Sequence, residues 1–534
     1  MVLASSNAFQ QAPHGSVDVC VIGGGVAGIT IALALARRRL RVLLLEAGGE
    51  AYSRRSQDLY RGEAWDGRYS LTGTRARVLG GSSNCWGGWT RPPGASDFAA
   101  RPWVGAPGWP IEWSDLAPYH AEASRLLELS EPASDAVLTD ALDADLGRTA
   151  GLGGDDLRTV FFHMSPPTAF GNVYRDELAR AETLTVLTDA TVTRLETDAA
   201  SDRVRAVEVL TERGTFRVAA ETFVLATGGV ENPRMLLASG GIGNGADLVG
   251  RYFMDHPRIR LRHLLLQGGD RISQLFDARH YGGGSMLRGR GRVGCALSPS
   301  PEEQRRAEVL QSYTGLVACF FGQTDATLED ARQVYKAMRG RPHEPITAAR
   351  SARALAGTPQ ALAYLLARRL DLRGRSMRFE VETVVEPMPD RDNRVELNGE
   401  KDRNGIPKVR LTWRRHDVER RTHRHAFDLV RKAMAAEGQG RMTVDPGIWD
   451  PDRWDANVMT TWHHMGTTRM AAAPSEGVVD TDCRVFGTTN LYLAGSSVFA
   501  TGGGMPPTLL VTLLALRLAD HLAARSAMPL AAAE

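Results

Sequence analysis

Residues 17–49, VDVCVIGGGVAGITIALALARRRLRVLLLEAGG, contain three patterns in succession. A short apolar run predicts a buried strand, a glycine turn follows, and apolar residues at helical spacing lead into a second apolar strand that ends at Glu46. This is a βαβ unit. Gly23, Gly25 and Gly28 stand in the spacing G-x-G-x-x-G, which lets the chain turn tightly, brings backbone close to a pyrophosphate and packs helix against strand. Glu46 follows Gly28 by eighteen residues, where a carboxylate accepts from ribose hydroxyls. Strand, helix and acid together point to dinucleotide binding, although this unit alone does not separate NAD from FAD.

The rest of the composition narrows the class. A chain of 534 residues exceeds one ordinary core, so a second domain or lobe is expected. With 64 basic against 62 acidic side chains the net charge is +2, which gives no field to recruit nucleic acid or an anionic membrane. Cys20, Cys85, Cys295, Cys319 and Cys483 are far apart and show neither zinc nor redox spacing, so no metal site is expected and a reducing cytoplasm fits. Residues 1–16 lack a basic start and an apolar run, and no stretch reads as a membrane span.

Residues 377–413 alternate as strands, with turns at Asp390–Asn393 and Asn404-Gly405, and predict an antiparallel sheet. Residues 414–438 predict a helix capped by Asp417, with Val418, Phe427, Val430 and Met434 as its apolar face and His416, His423 and His425 on its surface. The arginine-rich stretch 337–378 predicts helix with a solvated charged face. The segment MPPTLLVTLLALRLADHLAA, 505–524, predicts a helix entered through proline.

Four further stretches occur in order: RARVLGGSSNCWGGWT (75–90), ATGGVENPRMLLAS (226–239), LVGRYFMDHP (248–257), and the segment from HHMGTTRM (463–470) to GGGMPPTLL (502–510). Together they resemble the glucose-methanol-choline (GMC) oxidoreductases, and most closely the bacterial sugar and glycoside oxidase or dehydrogenase branch, over about residues 17–524. The resemblance implies an α/β protein: a Rossmann-like FAD-binding domain built from discontinuous segments (17–260 and 450–530), and an α+β substrate domain with a largely antiparallel sheet (261–449 plus part of 95–180). It implies that FAD meets Gly80, Gly81, Ser82, Asn84 and Cys85, that Thr227 and Gly228 lie near the dinucleotide and Gly495 and Ser496 beside the ribityl chain, and that Val192 meets adenine through its main chain. Glycines allow the close approach this needs, and small hydroxyls donate to phosphate.

The resemblance also assigns a base. His463 stands three residues before Gly466 of a Gly-Thr pair, the spacing of the family's catalytic histidine. A neutral imidazole there takes the hydroxyl proton of an alcohol while hydride passes from the same carbon to flavin N5. Neighbouring side chains diverge, so His464 is read as packed behind it. The family's second catalytic histidine or asparagine, commonly in Asn-Pro-Thr, is here Pro506, which has no side-chain donor or acceptor. His464, a water or the substrate would have to fill that gap. Pro507 and Thr508 keep the helix start, whose positive end would favour negative charge on the flavin.

Where many relatives carry a histidine that can bind FAD covalently, this chain has Cys85, so non-covalent FAD is expected. Asp255-His256 reads as structural. The expected partners are a small alcohol, a sugar, glycoside or aminosugar as in secondary metabolism, and O₂ or another electron acceptor. The alternative is a GMC-derived lyase or a redox-silent flavoprotein, prompted by Pro506. No sequence feature specifies an oligomeric state.

Overall fold

The computed structural model describes residues 3–5, 17–65, 67, 69–130, 134–146, 154–198, 202–266, 293–319, 325–338, 346–359, 378–438 and 440–527. The βαβ unit forms as strand Val19–Ile22, helix Val26–Arg37 and strand Val42–Leu45. Both strands are buried at every position, as parallel strands covered on both faces must be. They lie in a parallel sheet whose order is Leu3–Ser5, Leu184–Thr188, Val42–Leu45, Val19–Ile22, Thr222–Leu225 and Leu491–Leu493. Val21 is level with Leu44 on one side and Val224 on the other. The strands of this sheet therefore come from widely separated parts of the chain, each returning through a crossover. Helix Thr508–Ala527 packs against helix Val26–Arg37 and closes one face.

A second sheet has seven strands, all antiparallel: Gly440–Met442, Arg258–Leu266, Arg378–Val385, Ser312–Cys319, Val293–Pro299, Leu157–Met164 and Trp89–Thr90. Alternation gives it two different faces. Ile259, Leu261, Val381 and Leu297 pack under helix Asp417–Ala436, with its Phe427, Val430 and Met434. Arg258, Arg260, Glu382, Val384 and Tyr313 point the other way, into a cavity.

Several expectations are corrected. Residues 377–413 do not form one sheet: Arg378–Val385 inserts between two strands of the seven-stranded sheet, and only Arg394–Lys401 and Pro407–Thr412 pair as a hairpin. The turn at Asp390 exists, with Asn393 N donating to Asp390 O at 3.2 Å, but it connects two different sheets. The helix at 417 is capped not by Asp417 but by His416, whose N–H donates to the Glu419 carboxylate at 2.7 Å. His423 is fully buried rather than on the surface, 5.7 Å from the Trp454 ring, and its Nδ1 meets Glu419 O at 3.0 Å. Much of the arginine-rich stretch 337–378 lies outside the described residues; within them, Arg350 turns inward to the buried Asp330, with Arg353 on its other oxygen. No helix of the described residues is long and apolar enough to cross a membrane.

Candidate active site

One cavity of about 1780 Å³ runs from the carboxyl ends of the parallel strands to the antiparallel sheet. That is larger than a site for one small molecule, about 300–1000 Å³, and accommodates a dinucleotide with a substrate beside it. Its walls bring together Gly23, Gly25, Glu46, Gly81, Ser82, Asn84, Cys85, Val192, Thr227, Gly228, Gly495, Ser496, Pro507 and Thr508 with His463 and His464. Gly28 and Gly80 lie behind the wall. A Cβ on Gly28 would stand 1.8 Å from Gly23 O, and one on Gly80 2.6 Å from Gly171 N, so protein packing alone requires glycine at both.

Gly25, Gly228 and Gly495 differ: a Cβ on any of them would meet no protein atom closer than 4.0 Å. Their bare backbone faces space that a ligand must fill. Glu46 is buried, and its two oxygens accept from Gly24 N at 2.7 Å and Gly48 N at 2.6 Å. Each oxygen retains a lone pair for a ribose hydroxyl. Burial holds the Glu46 carboxyl above the usual range, opposed by those two N–H groups and by Arg77. Helix Thr508–Ala527 begins at the wall, and Pro507 O accepts from Val511 N at 2.9 Å. The earlier N–H groups of the first turn therefore have no helical acceptor, which suits an electron-rich ring. These residues fit FAD.

His463 is placed by a strained turn. Trp462 has φ of +67°, a conformation that is costly for a bulky residue. Asp255, fully buried, holds it: Oδ1 accepts from His463 N at 2.9 Å and Thr461 Oγ1 at 2.7 Å, and Oδ2 from Trp462 N at 3.2 Å and Tyr69 Oη at 2.7 Å. Burial pushes this carboxyl up, but His464, His463 and the Tyr69 and Thr461 donors more than offset it and hold it below its ordinary value. From this turn the two histidines diverge. His464 packs between Tyr69 and Phe253, at 5.8 and 5.9 Å between ring centroids, and its Nε2 has no partner among the described residues.

His463 turns toward His256, with the two Nδ1 atoms 3.0 Å apart, while His256 Nε2 lies 2.7 Å from Gly503 O. These contacts specify the protons. A carbonyl oxygen only accepts, so neutral His256 carries hydrogen on Nε2 and presents a bare Nδ1. His463 must then donate from Nδ1, which leaves its Nε2 the nitrogen without hydrogen on a residue that lines the cavity. Burial, the neighbouring His256 and, further down, His464 and Arg258 lower the His463 pKa to about 3, against an opposing pull from Asp255. Burial also lowers His256, opposed by Gly503 O and by the charges of Asp255 and Glu386. Both rings are therefore neutral at physiological pH.

Gly503 is itself fixed. Its N–H donates to Glu386 at 3.2 Å, Glu386 forms a buried ion pair with Arg101, and Gly504 N donates to Gln311 at 2.9 Å. Pro506 lines the cavity beside this loop and offers it no polar group. Sequence reasoning missed His256 as the hydrogen-bond partner of His463. It also missed Asn232, which accepts from Thr227 N at 2.9 Å and Thr227 Oγ1 at 2.6 Å and donates to Ala494 O at 3.1 Å, joining two stretches of the cofactor wall. Both lie in the quoted motifs, but their partners are distant in sequence. Among the described residues no cluster suited to a metal ion occurs.

Two family models match the chain: FAD dependent oxidoreductase over residues 18–240 and GMC oxidoreductase over residues 389–515. The second covers the turn, the base and the glycine loop just described.

The chain belongs to the GMC oxidoreductase family.

Its cofactor is FAD. The chain is 27% identical to the fructose dehydrogenase large subunit of Gluconobacter japonicus over 63% of its own length, spanning about half, 53%, of that relative. It is 24% identical to paromamine 6'-oxidase of Streptomyces fradiae, covering 95% of this chain and 91% of that one. Among solved structures, pyridoxine 4-oxidase from Mesorbium loti aligns over 95% of this chain and 99% of its own with a TM-score of 0.57 at 19% identity. At that identity the likeness concerns the fold of this GMC oxidoreductase, a Rossmann-like unit joined to a largely antiparallel sheet.

Proposed function

We propose that this flavoprotein oxidises a hydroxyl of a sugar, glycoside or aminosugar to a carbonyl. The observation that carries the reading is His463 on the wall that fits FAD with its Nδ1 engaged by His256, an arrangement that leaves Nε2 for a substrate. A substrate hydroxyl placed against this nitrogen gives up its proton to it, and the His463 Nδ1–H remains on His256 throughout. Bound FAD supplies the acceptor for the hydride that leaves the same carbon. Asp255 holds the 461–463 turn, and the His256–Gly503 contact keeps the imidazole from rotating. In this reading residues 17–260 and 450–530 are the cofactor side and 261–449 with part of 95–180 the substrate side, except that strand Arg258–Leu266 belongs wholly to the substrate side. Relatives acting on fructose and paromamine, by their names, support a carbohydrate substrate. Either O₂ or another acceptor reoxidises the flavin.

The cofactor is held without a covalent bond: the Cys85 thiol donates to Ser82 O at 3.3 Å and sits on the wall as a small polar residue. Acid precipitation checks this, the yellow colour remaining in the supernatant. Anaerobic mixing with a panel of sugars and glycosides tests the reaction. Bleaching of the flavin together with a new carbonyl is the expected result, and a flavin that stays oxidised with every hydroxyl compound overturns it. The second reading, a lyase or redox-silent protein, is motivated by the apolar Pro506 on the wall; product formation without flavin bleaching, unaffected by His463→Ala, would favour it.

A further inference from the structure

Three guanidinium groups line the substrate end of the cavity, those of Arg258, Arg260 and Arg415. Two of them are fully engaged. Arg260 Nε donates to Glu382, and Arg415 grips Asp455 with Nε and with Nη2, the latter at 2.8 Å. Arg258 is different. Its nearest carboxylate oxygen, on Glu382, is 3.7 Å from Nη1, outside hydrogen-bond range and on an oxygen that Arg260 already holds. Its guanidinium makes no hydrogen bond among the described residues, Nε being buried, and its side chain, on the cavity wall, is 29% exposed. A buried donor left unpaired is unfavourable, and the ordinary explanation is a partner that the protein itself does not supply.

Position makes that partner a substrate group. Arg258 opens strand Arg258–Leu266 two residues after His256, and lines the same cavity as His463. Its backbone is locked by Arg258 N donating to Met459 O at 3.0 Å and Met459 N to Arg258 O at 2.7 Å. His463, held by His256, and Arg258 share that cavity wall, so one bound substrate can meet both. Arg258 also contributes to the low basicity of His463, which places its charge within electrostatic reach.

We propose that Arg258 binds an oxyanion carried by the substrate, making the enzyme an oxidase or dehydrogenase of sugar acids or sugar phosphates rather than of cationic aminosugars. This rests on the alcohol-oxidation reading and narrows it. A guanidinium fork pairs two parallel N–H groups with a carboxylate or phosphate, and Arg258, on the cavity wall, has no such partner among the described residues. Glu382 does not cancel the charge, because one carboxylate is shared by two arginines. An ammonium group in the same place would meet uncompensated positive charge.

The FAD-loaded full chain is tested with D-glucuronate, D-glucose 6-phosphate, methyl glucoside and D-glucosamine, following anaerobic flavin reduction. The expected wild-type order places one of the two anions at least about tenfold above methyl glucoside in kcat/KM, with glucosamine lowest. Comparison of the two anions separates carboxylate from phosphate. Arg258→Met, which keeps the stem, lowers the anion-to-neutral ratio by about 10- to 100-fold. Arg258→Lys, the control for folding and charge, retains part of that ratio, and Arg258→Glu shifts preference toward glucosamine. An equal loss for charged and neutral sugars in Arg258→Met, or wild-type preference for glucosamine, overturns the proposal while leaving alcohol oxidation standing. If no sugar bleaches the flavin, alcohol oxidation fails and Arg258 is judged by binding. Perturbation of the flavin spectrum by glucuronate or glucose 6-phosphate, lost in Arg258→Met, supports it; absent or unchanged perturbation refutes it.

Discussion

Replacing His256 by phenylalanine keeps a ring of similar size but removes both the acceptor for His463 Nδ1–H and the donor to Gly503 O. In this variant the Nδ1–H of His463 faces an apolar edge. A buried donor without a partner costs about 1–3 kcal/mol, and the tautomer with hydrogen on Nε2 avoids that cost. At 1.4 kcal/mol per factor of ten, the competent form falls by about 5- to 150-fold. The rate constant for flavin reduction at saturating substrate should fall by the same factor. KM should change little, since His256 does not meet the substrate, and flavin content should equal that of the wild type. General-base catalysis contributes about 10²–10⁴, so the variant retains some activity even at the lower limit. His256→Gln, whose amide can approach one of the two roles, should recover part of the loss. A His256→Phe protein with full flavin content and a reduction rate within twofold of wild type would refute the tautomer assignment.

Gly25 and Gly28 should separate cofactor binding from folding. Gly25→Ala points a methyl into the cavity and touches no protein, so it should lower the flavin-to-protein absorbance ratio without lowering the Tm of the apoprotein; Gly28→Ala drives a methyl into Gly23 O and should impair soluble expression. Because His463 is neutral down to about pH 3, kcat/KM should not fall through the ordinary histidine range near 6.5; an acid limb centred there would contradict the assignment. Stability should respond in the opposite sense to that constancy. His463, lowered to about 3, and His464 and His423, both lowered to about 4 by burial, bind protons more weakly folded than unfolded, so their contribution is present above pH 6.5 and is lost progressively as pH falls from there toward 3. Glu419, raised to about 7 by burial, acts the other way, its contribution fading as pH rises through 7. A Tm that stays constant from pH 7 to pH 4 would contradict this balance.

The βαβ unit was legible because each of its signals is local: apolar runs, glycine spacing and an acid at a strand end lie within residues 17–49. The place of His463 on the cavity wall was legible through a motif of five residues, 463–467. What escaped was created by long-range pairing. Asp255-His256 reads as a strand-end pair until the fold brings it against residues 461–463, about two hundred positions later. Strand Arg378–Val385 alternates like its sequence neighbours, yet its pairing partners are Arg258–Leu266 and Ser312–Cys319, which no local pattern identifies. His423 was recoverable: it stands four residues before Phe427 and four after the buried Glu419, on the stripe that continues through Val430 and Met434. Assigning a histidine to the surface by polarity overlooked that spacing.

The chain that orients the base ends on the carbonyl of Gly503. Where such a chain ends on a carboxylate, the anion strengthens the imidazole as a proton acceptor and gives acid a second place to strike. A main-chain oxygen carries no net charge, does not titrate in water, and survives any substitution at its own position. The imidazole it steadies keeps its one hydrogen on Nδ1 and, weakened by burial and by His256, is a weak base with Nε2 unprotonated at rest. In the proposed reaction so weak a base would take the proton as the hydride departs, with no lasting alkoxide between.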